Sequence, residues 1–211
     1  MGKPFKVELE KLAGTIKWAE QQDVTRLARF MFVENKQIPL VCIGSGGSLS
    51  ACHYAVLLNL QRNGVLAQAM TPLQMMYSGR ELLRSSKLLF LSASGKNKDI
   101  LNALKYGVKY NESGMMSLTL RKNNPAEKLL EQYPKVLRWC EDIPSEKDGF
   151  LATNSLLATF TLLNRSFDGE LVGDKIALDG TYSKNYEFDL ANIQNFIVLY
   201  GAAGEPVAWD I

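Results

Sequence analysis

The sequence predicts an α/β protein: a three-layer αβα sandwich in which helices cover both faces of a five-stranded parallel sheet. Two observations carry this prediction. Short apolar runs alternate with helical patterns five times between residues 38 and 167, and strands that are buried on both faces are apolar throughout. Two of these runs end in turns of glycine and serine just before a helical pattern begins, as strands of a parallel sheet do.

The segment before the first strand, residues 5–35, is predicted to be helical. Phe5, Leu9 and Leu12 recur at helical spacing, and a second apolar set follows Asp23, a residue type that suits the N-cap of a helix. We expect residues 1–35 to form an N-terminal helical extension that lies outside the sheet.

The strands and the helices between them follow from local apolar patterns and helix-stop signals. Gly64 suits the end of one helix, and Pro125 suits the first turn of another. The predicted strands cover residues 38–44, 65–70, 87–95, 114–120 and 135–140. The predicted helices cover residues 48–62, 71–82, 97–110, 125–133 and 152–167.

Composition excludes several classes of protein. With 46% hydrophobic and 22% charged residues among 211, the chain has the balance of a globular protein with a full core. A net charge of +2 without a basic stripe argues against a nucleic-acid partner. No signal peptide and no apolar run of the roughly 20 residues that span a membrane are found, so no membrane partner is expected. Three cysteines without a CxxC pair favour a reducing, cytoplasmic location.

The glycine and serine turn at residues 44–48 does not match the common cofactor motifs. Leu49 stands where a dinucleotide-binding turn has its third glycine, and the next predicted strand ends without an acid. A P-loop would need a lysine between Gly47 and Ser48. The only histidine, His53, argues against a zinc site and lies too close to the turn for the usual base of a serine hydrolase. We therefore predict no metal and no cofactor.

A phosphate group suits these turns better. The turns at residues 44–48 and 92–95 both follow predicted strands, so both are expected at the sheet edge where α/β proteins bind ligands. Backbone N–H groups at a helix N-terminus point at an anion and the helix dipole favours it. Serine hydroxyls add uncharged donors. The alternative is that the serines and glycines only shape the turns.

The order and spacing of these motifs resemble the sugar isomerase (SIS) domain family. The resemblance covers residues 35–168 and rests on GSGGS at 44–48, on TPLQ after the second strand, on the S-x-S-G turn at 92–95 with Asp99 beyond it, and on PSEKDGFLATNSLLA before the last helix. It implies an SIS domain at residues 36–168 with flavodoxin-like topology. It also implies a phosphorylated sugar as the ligand, and a homodimer across which the N-terminal helix packs.

The same resemblance implies a set of phosphosugar-binding residues. Serine hydroxyls and the backbone amides of Gly47 and Ala93 would donate to the phosphate, and Asn97 stands where the family often has a threonine. The implied set is Gly46, Gly47, Ser48, Ser92, Ala93, Ser94 and Asn97.

For catalysis, the resemblance implies that Glu146 moves a proton between C1 and C2 of the sugar, and burial beside the sugar is expected to raise its pKa. The EKDG stretch has one residue more before its glycine than the commoner Glu-x-Gly. Asp148 and Glu141 are therefore alternatives, as is a charged loop without a catalytic role. His53 is a candidate for the acid that opens the sugar ring. The alternative is that His53 has no catalytic role and lies on a helix face or at an interface.

The end of the sequence repeats the pattern of its first strand and turn. After a polar stretch at residues 169–193, which suits a linker, residues 194–211 contain an apolar run, a glycine turn and the beginning of a helical pattern. This repeat predicts the start of a second SIS-like domain, the chain being a fragment of a longer protein. The alternative is a sixth strand of the same sheet.

Two functions follow from the resemblance. The first is an aldose/ketose isomerase for a sugar phosphate, or an aminosugar-phosphate deaminase/isomerase. The second is a non-catalytic phosphosugar sensor that regulates a partner. The sequence leaves open whether this chain alone is an enzyme.

Overall fold

Five parallel strands form one sheet in the computed structural model, which describes residues 5–32, 38–149 and 151–168. The strands are β1 (Leu40–Ile43), β2 (Ala67–Met70), β3 (Lys87–Ser92), β4 (Met115–Thr119) and β5 (Leu137–Cys140). Their order across the sheet is β2-β1-β3-β4-β5, and every neighbouring pair is parallel. This is the flavodoxin-like order, so the predicted fold class is confirmed.

Nine helices accompany the strands within the described residues. They are α1 (Phe5–Glu10), α2 (Leu12–Gln21), α3 (Thr25–Met31), α4 (Gly47–Asn63), α5 (Pro72–Tyr77), α6 (Arg80–Ser85), α7 (Lys98–Tyr110), α8 (Pro125–Leu130) and α9 (Asn154–Asp168). None of the described helices is long and apolar enough to cross a membrane.

Two of the predicted helices are interrupted in the structure. The predicted helix over 71–82 is divided into α5 and α6, because the backbone is extended at Ser78 and Gly79. The predicted N-terminal helix is three shorter ones, with breaks at Lys11 and before α3. The second break occurs because Gln22 is extended and Asp23 accepts a hydrogen bond from the backbone N–H of Thr25 at 2.8 Å. Local hydrogen bonds of this kind compete with helix continuation.

Two hydrophobic cores, one on each face of the sheet, create the three layers. Side chains of a strand alternate between faces, so Leu40 and Cys42 contribute to one core while Val41 and Ile43 contribute to the other. The first core contains buried residues of α2, α3, α4 and α9, and the second contains buried residues of α5, α6, α7 and α8. The central strands β1, β3 and β4 are buried along their whole length, which explains their continuous apolar sequences.

The N-terminal helices belong to one of the layers that cover the sheet. Ala19 of α2 and Leu27 and Phe30 of α3 are buried in the same core as α9. Arg165 of α9 donates to the backbone carbonyls of Ala19 and Gln22, both at 2.7 Å. The N-terminal helices are therefore packed against α9 and the sheet of the same chain. Packing of these helices across a homodimer stays a prediction. The linker at 169–193 and the strand or second domain at 194–211 lie outside the described residues.

A buried lysine lies at the amino end of the central strand β3. Lys87, the first residue of β3, is 6% exposed. Its Nζ donates to the carbonyl oxygen of Met31 at 3.3 Å and lies 4.8 Å from the centroid of the Phe30 ring. Burial lowers the pKa of Lys87 from 10.5 to about 8, because removal from water disfavours the charged form.

This lysine makes the stability of the domain depend on pH. Between pH 8 and 10.5 the unfolded chain holds a proton on Lys87 that the folded chain has released, so the free energy of unfolding rises with pH across this window. Relative to Lys87→Met, we expect the wild type to gain about 3 kcal/mol between pH 7 and pH 10.5. Urea denaturation of both proteins at several pH values measures this gain, and parallel pH profiles would contradict it.

Candidate functional site

All five strands point the same way, so the turns that follow β1, β3, β4 and β5 meet at one edge of the sheet. The first turn is tight because a glycine ends β1. A Cβ added to Gly44 would lie 2.5 Å from the backbone oxygen of Ser48 and 2.8 Å from Sγ of Cys52. Gly46 has a φ of 56° and precedes the first helical residue, a conformation that favours glycine. Together these two glycines bring the N-terminus of α4 against the strand end.

The second turn follows β3, and the hydroxyl oxygens of its two serines accept hydrogen bonds from backbone N–H groups of the turn. Ser92 Oγ accepts a hydrogen bond from the N–H of Gly95 at 3.2 Å, and Ser94 Oγ accepts one from Lys96 at 3.3 Å. Each hydroxyl hydrogen can then donate to a ligand. Asn97 caps α7, its Oδ1 accepting from two backbone N–H groups at 2.8 and 3.1 Å, so its side-chain NH₂ group is the part that can donate to a ligand.

The two turns enclose a cavity of about 220 Å³, here called the serine cavity. Its lining contains no charged side chain and includes six of the seven predicted binding residues; Gly46, the seventh, immediately precedes Gly47. Ser45, Ala152 and Ser155 also line the cavity and were not predicted as binding residues, although Ser45 lies in GSGGS and the other two lie in PSEKDGFLATNSLLA, stretches on which the resemblance rests. The lining residues are Ser45, Gly47, Ser48, Leu91, Ser92, Ala93, Ser94, Asn97, Ile100, Ala152 and Ser155.

A larger cavity of about 630 Å³ adjoins the serine cavity over β4 and β5. The two cavities share Ala93, Ser94, Ala152 and Ser155, so a ligand anchored in the first has room to extend into the second. In contrast to the serine cavity, the larger one has charged side chains. Its remaining lining residues are Lys96, Leu120, Arg121, Lys122, Asn123, Asn124, Ile143, Glu146, Lys147, Asp148, Gly149 and Leu151.

Glu146 lines the larger cavity with a strained backbone. Asn123 and Glu146 are the two non-glycine residues with positive φ in the described parts of the chain, at 54° and 66°, and both line this cavity. Asparagine tolerates this conformation and glutamate rarely adopts it. Such strain tends to occur at functional sites. Glu146 is exposed, whereas Ile143 and Ser145 take the buried positions of its loop, so the protein itself does not supply the burial that was expected for Glu146.

The two alternative carboxylates are engaged elsewhere. Asp148 accepts hydrogen bonds from the N–H groups of Thr153 and Ser155 at 3.2 and 3.0 Å and from Ser155 Oγ at 2.5 Å. It therefore holds the start of α9. Glu141 forms an ion pair with Lys122 at 2.6 Å, which raises the pKa of Lys122, and Glu141 does not line either cavity.

His53 lies outside the lining of both cavities. It is half-buried in α4. Five residues along a helix correspond to a rotation of about 140° beyond one full turn, so His53 and Ser48 lie on different sides of α4. Among the described residues, no group of three or more His, Cys, Asp and Glu side chains is placed to hold a metal ion.

A buried carboxylate that the sequence analysis did not identify supports the far wall of the site. Glu8 of α1 is 2% exposed, and its Oε2 accepts from Thr153 Oγ1 at 3.1 Å and Asn154 Nδ2 at 3.2 Å. Asn154 Oδ1 accepts from Thr15 Oγ1 at 2.7 Å. Thr153 also bonds to Asp148, so the network connects the N-terminal helices to the cavity wall. A lone glutamate in an amphipathic helix carries no sequence signal of such burial.

Comparison of this fold with solved structures identifies a common architecture. The C-terminal domain of glucosamine-fructose-6-phosphate aminotransferase from Francisella tularensis matches with a TM-score of 0.59 and 15% identity, over 74% of this chain and 44% of that one. Vibrio vulnificus NanR complexed with ManNAc-6P matches with a TM-score of 0.55 and 20% identity, over 78% of this chain and 59% of that one. Tagatose-6-phosphate ketose/aldose isomerase from Escherichia coli matches with a TM-score of 0.57 and 14% identity, over 81% of this chain and 46% of that one.

These matches confirm the resemblance to SIS proteins at the level of the fold. The chain spans about half the length of the solved structures it matches. Searches with family profiles find no match, and no curated protein sequence matches either. At identities of 12–20% the likeness concerns architecture alone.

Proposed function

We propose that the two adjoining cavities bind a phosphorylated sugar, with the phosphate in the serine cavity and the sugar in the larger one. The observation that carries this proposal is the meeting of two serine turns from neighbouring strands, β1 and β3, around one small cavity that opens beside Glu146. Two of the solved proteins are named for fructose 6-phosphate and tagatose 6-phosphate, and NanR is complexed with ManNAc-6P, which supports the same ligand class.

The serine cavity suits a phosphate although it contains no cation. Its wall includes Ser48 in the first turn of α4, a helix without a side-chain cap, and Asn97 at the N-cap of α7. Helix N-termini carry partial positive charge and N–H groups without a partner in their own helix. These two around one cavity, with serine hydroxyls between them, bind an anion through fixed dipoles. The N–H groups of Thr153 and Ser155 at the start of α9 are instead bonded to Asp148.

For the reaction, we propose that Glu146 is the base of an aldose–ketose isomerisation. The carboxylate removes the proton from C2 of the open-chain aldose while O1 takes up a proton from water, which gives an enediol. O2 then releases a proton to water and the carboxyl group returns its proton to C1, which gives the ketose. Anchoring the phosphate restricts how the sugar presents its carbonyl end to Glu146, and this restriction contributes to the rate. An aminosugar-phosphate deaminase/isomerase would use the same proton transfer.

A second candidate function, a phosphosugar sensor without turnover, is favoured by the state of the catalytic residues. Glu146 is exposed, and His53 lies outside both cavities. Binding would then be complete in this domain while the residues for chemistry are not.

Ligand binding is tested by thermal unfolding of the chain with sugar phosphates. At a hundred times Kd, a ligand that binds only the native state adds about 2.7 kcal/mol. This raises Tm by roughly 5–10 °C for a protein of this size. We expect such a shift with fructose 6-phosphate or glucosamine 6-phosphate and none with the free sugars. Ser94→Ala and Ser48→Ala should each remove most of it.

The matched control is Ser85→Ala, which deletes an exposed hydroxyl that bonds to the Glu81 carbonyl of its own helix. We expect this variant to keep the full shift. The absence of a shift with every sugar phosphate, or equal shifts with the free sugars, would contradict the proposed function.

A further inference from the structure

The larger cavity is bigger than a monosaccharide requires. Its volume of about 630 Å³ lies within the range of about 300–1,000 Å³ for sites that enclose drug-sized molecules. A hexose, with about 12 non-hydrogen atoms, is smaller than such molecules, and the phosphate is assigned to the serine cavity. The remaining space can accommodate a further substituent on the sugar.

The charged residues of this cavity are predominantly basic. Its lining contains four cations, Lys96, Arg121, Lys122 and Lys147, and two carboxylates, Glu146 and Asp148. Lys122 is paired with Glu141, and Asp148 is occupied by the start of α9. Lys96, Arg121 and Lys147 remain against the single carboxylate Glu146, so the larger cavity has an excess of positive charge that the serine cavity lacks.

Arg121 is the cation best placed to bind a ligand. It is half-buried, and no carboxylate of residues 5–32, 38–149 or 151–168 forms an ion pair with its guanidinium group. Its backbone is fixed, since its carbonyl oxygen accepts from Asn124 Nδ2 at 2.6 Å and Thr119 Oγ1 at 3.3 Å. A guanidinium group on a fixed backbone, without an ion pair among the described residues, suits a carboxylate or a phosphate.

Arg121 and the phosphate are assigned to different cavities. Arg121 follows β4 and lines the larger cavity and not the serine cavity. An anion that Arg121 binds in the larger cavity is therefore a different group from the phosphate in the serine cavity.

From this arrangement we infer that the ligand is a sugar phosphate with a second anionic group, a carboxylate or a second phosphate, which Arg121 binds in the larger cavity. The inference rests on the proposed function, because the serine cavity anchors the first phosphate. It narrows the ligand class from sugar monophosphates to sugars that carry two anionic groups.

The test is calorimetric titration of the 211-residue chain with glucose 6-phosphate, glucose 1,6-bisphosphate, fructose 6-phosphate, fructose 1,6-bisphosphate and 6-phosphogluconate at physiological salt. At least one ligand with two anionic groups should bind about 10- to 100-fold tighter than its monophosphate counterpart, the range expected of a charge-assisted hydrogen-bonded pair. In Arg121→Gln this preference should fall to about twofold or less, with the affinity for the monophosphate unchanged.

Lys98→Gln is the matched control, since it removes one positive charge from the exposed first residue of α7, which lines neither cavity. It should keep the preference. Equal affinity for ligands with one and two anionic groups would overturn the inference, as would an Arg121→Gln variant that weakens both equally. If monophosphate binding is still lost in Ser94→Ala, the proposed function survives either result. Failure of every ligand to bind would overturn both.

Discussion

Replacement of Gly95 by alanine is expected to lower the free energy of unfolding by about 3 kcal/mol or more. The added Cβ would overlap the Oδ1 and Cγ atoms of Asn124. Asn124 cannot move aside at low cost, because it is 2% exposed, accepts from the N–H of Glu127 to cap α8, and donates to Thr119 Oγ1 at 2.8 Å. Gly95 also has a φ of 63°, where a side chain costs roughly 1 kcal/mol.

Urea denaturation of Gly95→Ala measures this loss, and Gly14→Ala is the matched control. Gly14 lies within α2, and a Cβ there would meet nothing within 4 Å. Alanine should stabilise that helix by about 0.5–1 kcal/mol. Because Gly95 follows Ser94 directly, Gly95→Ala should also weaken sugar-phosphate binding at temperatures where it remains folded. Wild-type stability in Gly95→Ala would contradict the packing described around Asn124.

Glu146→Gln is expected to lower turnover of the isomerised sugar phosphate by about 10²- to 10⁴-fold, the usual contribution of a positioned general base. The amide keeps the size of the side chain and cannot accept the proton from C2. Ligand affinity should change little, since the phosphate is bound in the serine cavity. Coupled assays of aldose-to-ketose conversion, together with titration of the same ligands, separate the two effects.

Glu146→Gly provides the companion measurement. At a φ of 66° glycine relieves backbone strain, so this variant should be as stable as the wild type or up to about 1 kcal/mol more stable. Loss of turnover in a variant of full stability would assign Glu146 to the chemistry. A wild type that binds its ligand and converts none of the sugar phosphates would instead favour the sensor.

Much of the fold follows from the pattern of the sequence. The continuous apolar runs before GSGGS and SASG indicate strands buried on both faces, and the structure has β1 and β3 there. The N-cap candidate Asp23 marks the start of a second N-terminal helix within two residues of the observed start of α3 at Thr25. The interruption at Ser78 and Gly79 was not predicted. Apolar residues continue at helical spacing across it, and that spacing does not show where the backbone becomes extended.

The candidate site divides in the same way. Local sequence alone places serines and glycines in turns at strand ends, because turn conformation depends on near neighbours. Asn97, predicted as the first residue of a helix, is the N-cap of α7. Strand order, a long-range property, places the turn after β1 beside the turn after β3 and makes one cavity of the two. Long-range packing also buries Glu8 against α9. It pairs Lys122 with Glu141 while leaving Arg121 available to a ligand. The sequence does not distinguish Arg121 from Lys122, because both are basic and adjacent. The partner that distinguishes them, Glu141, lies on the loop after β5.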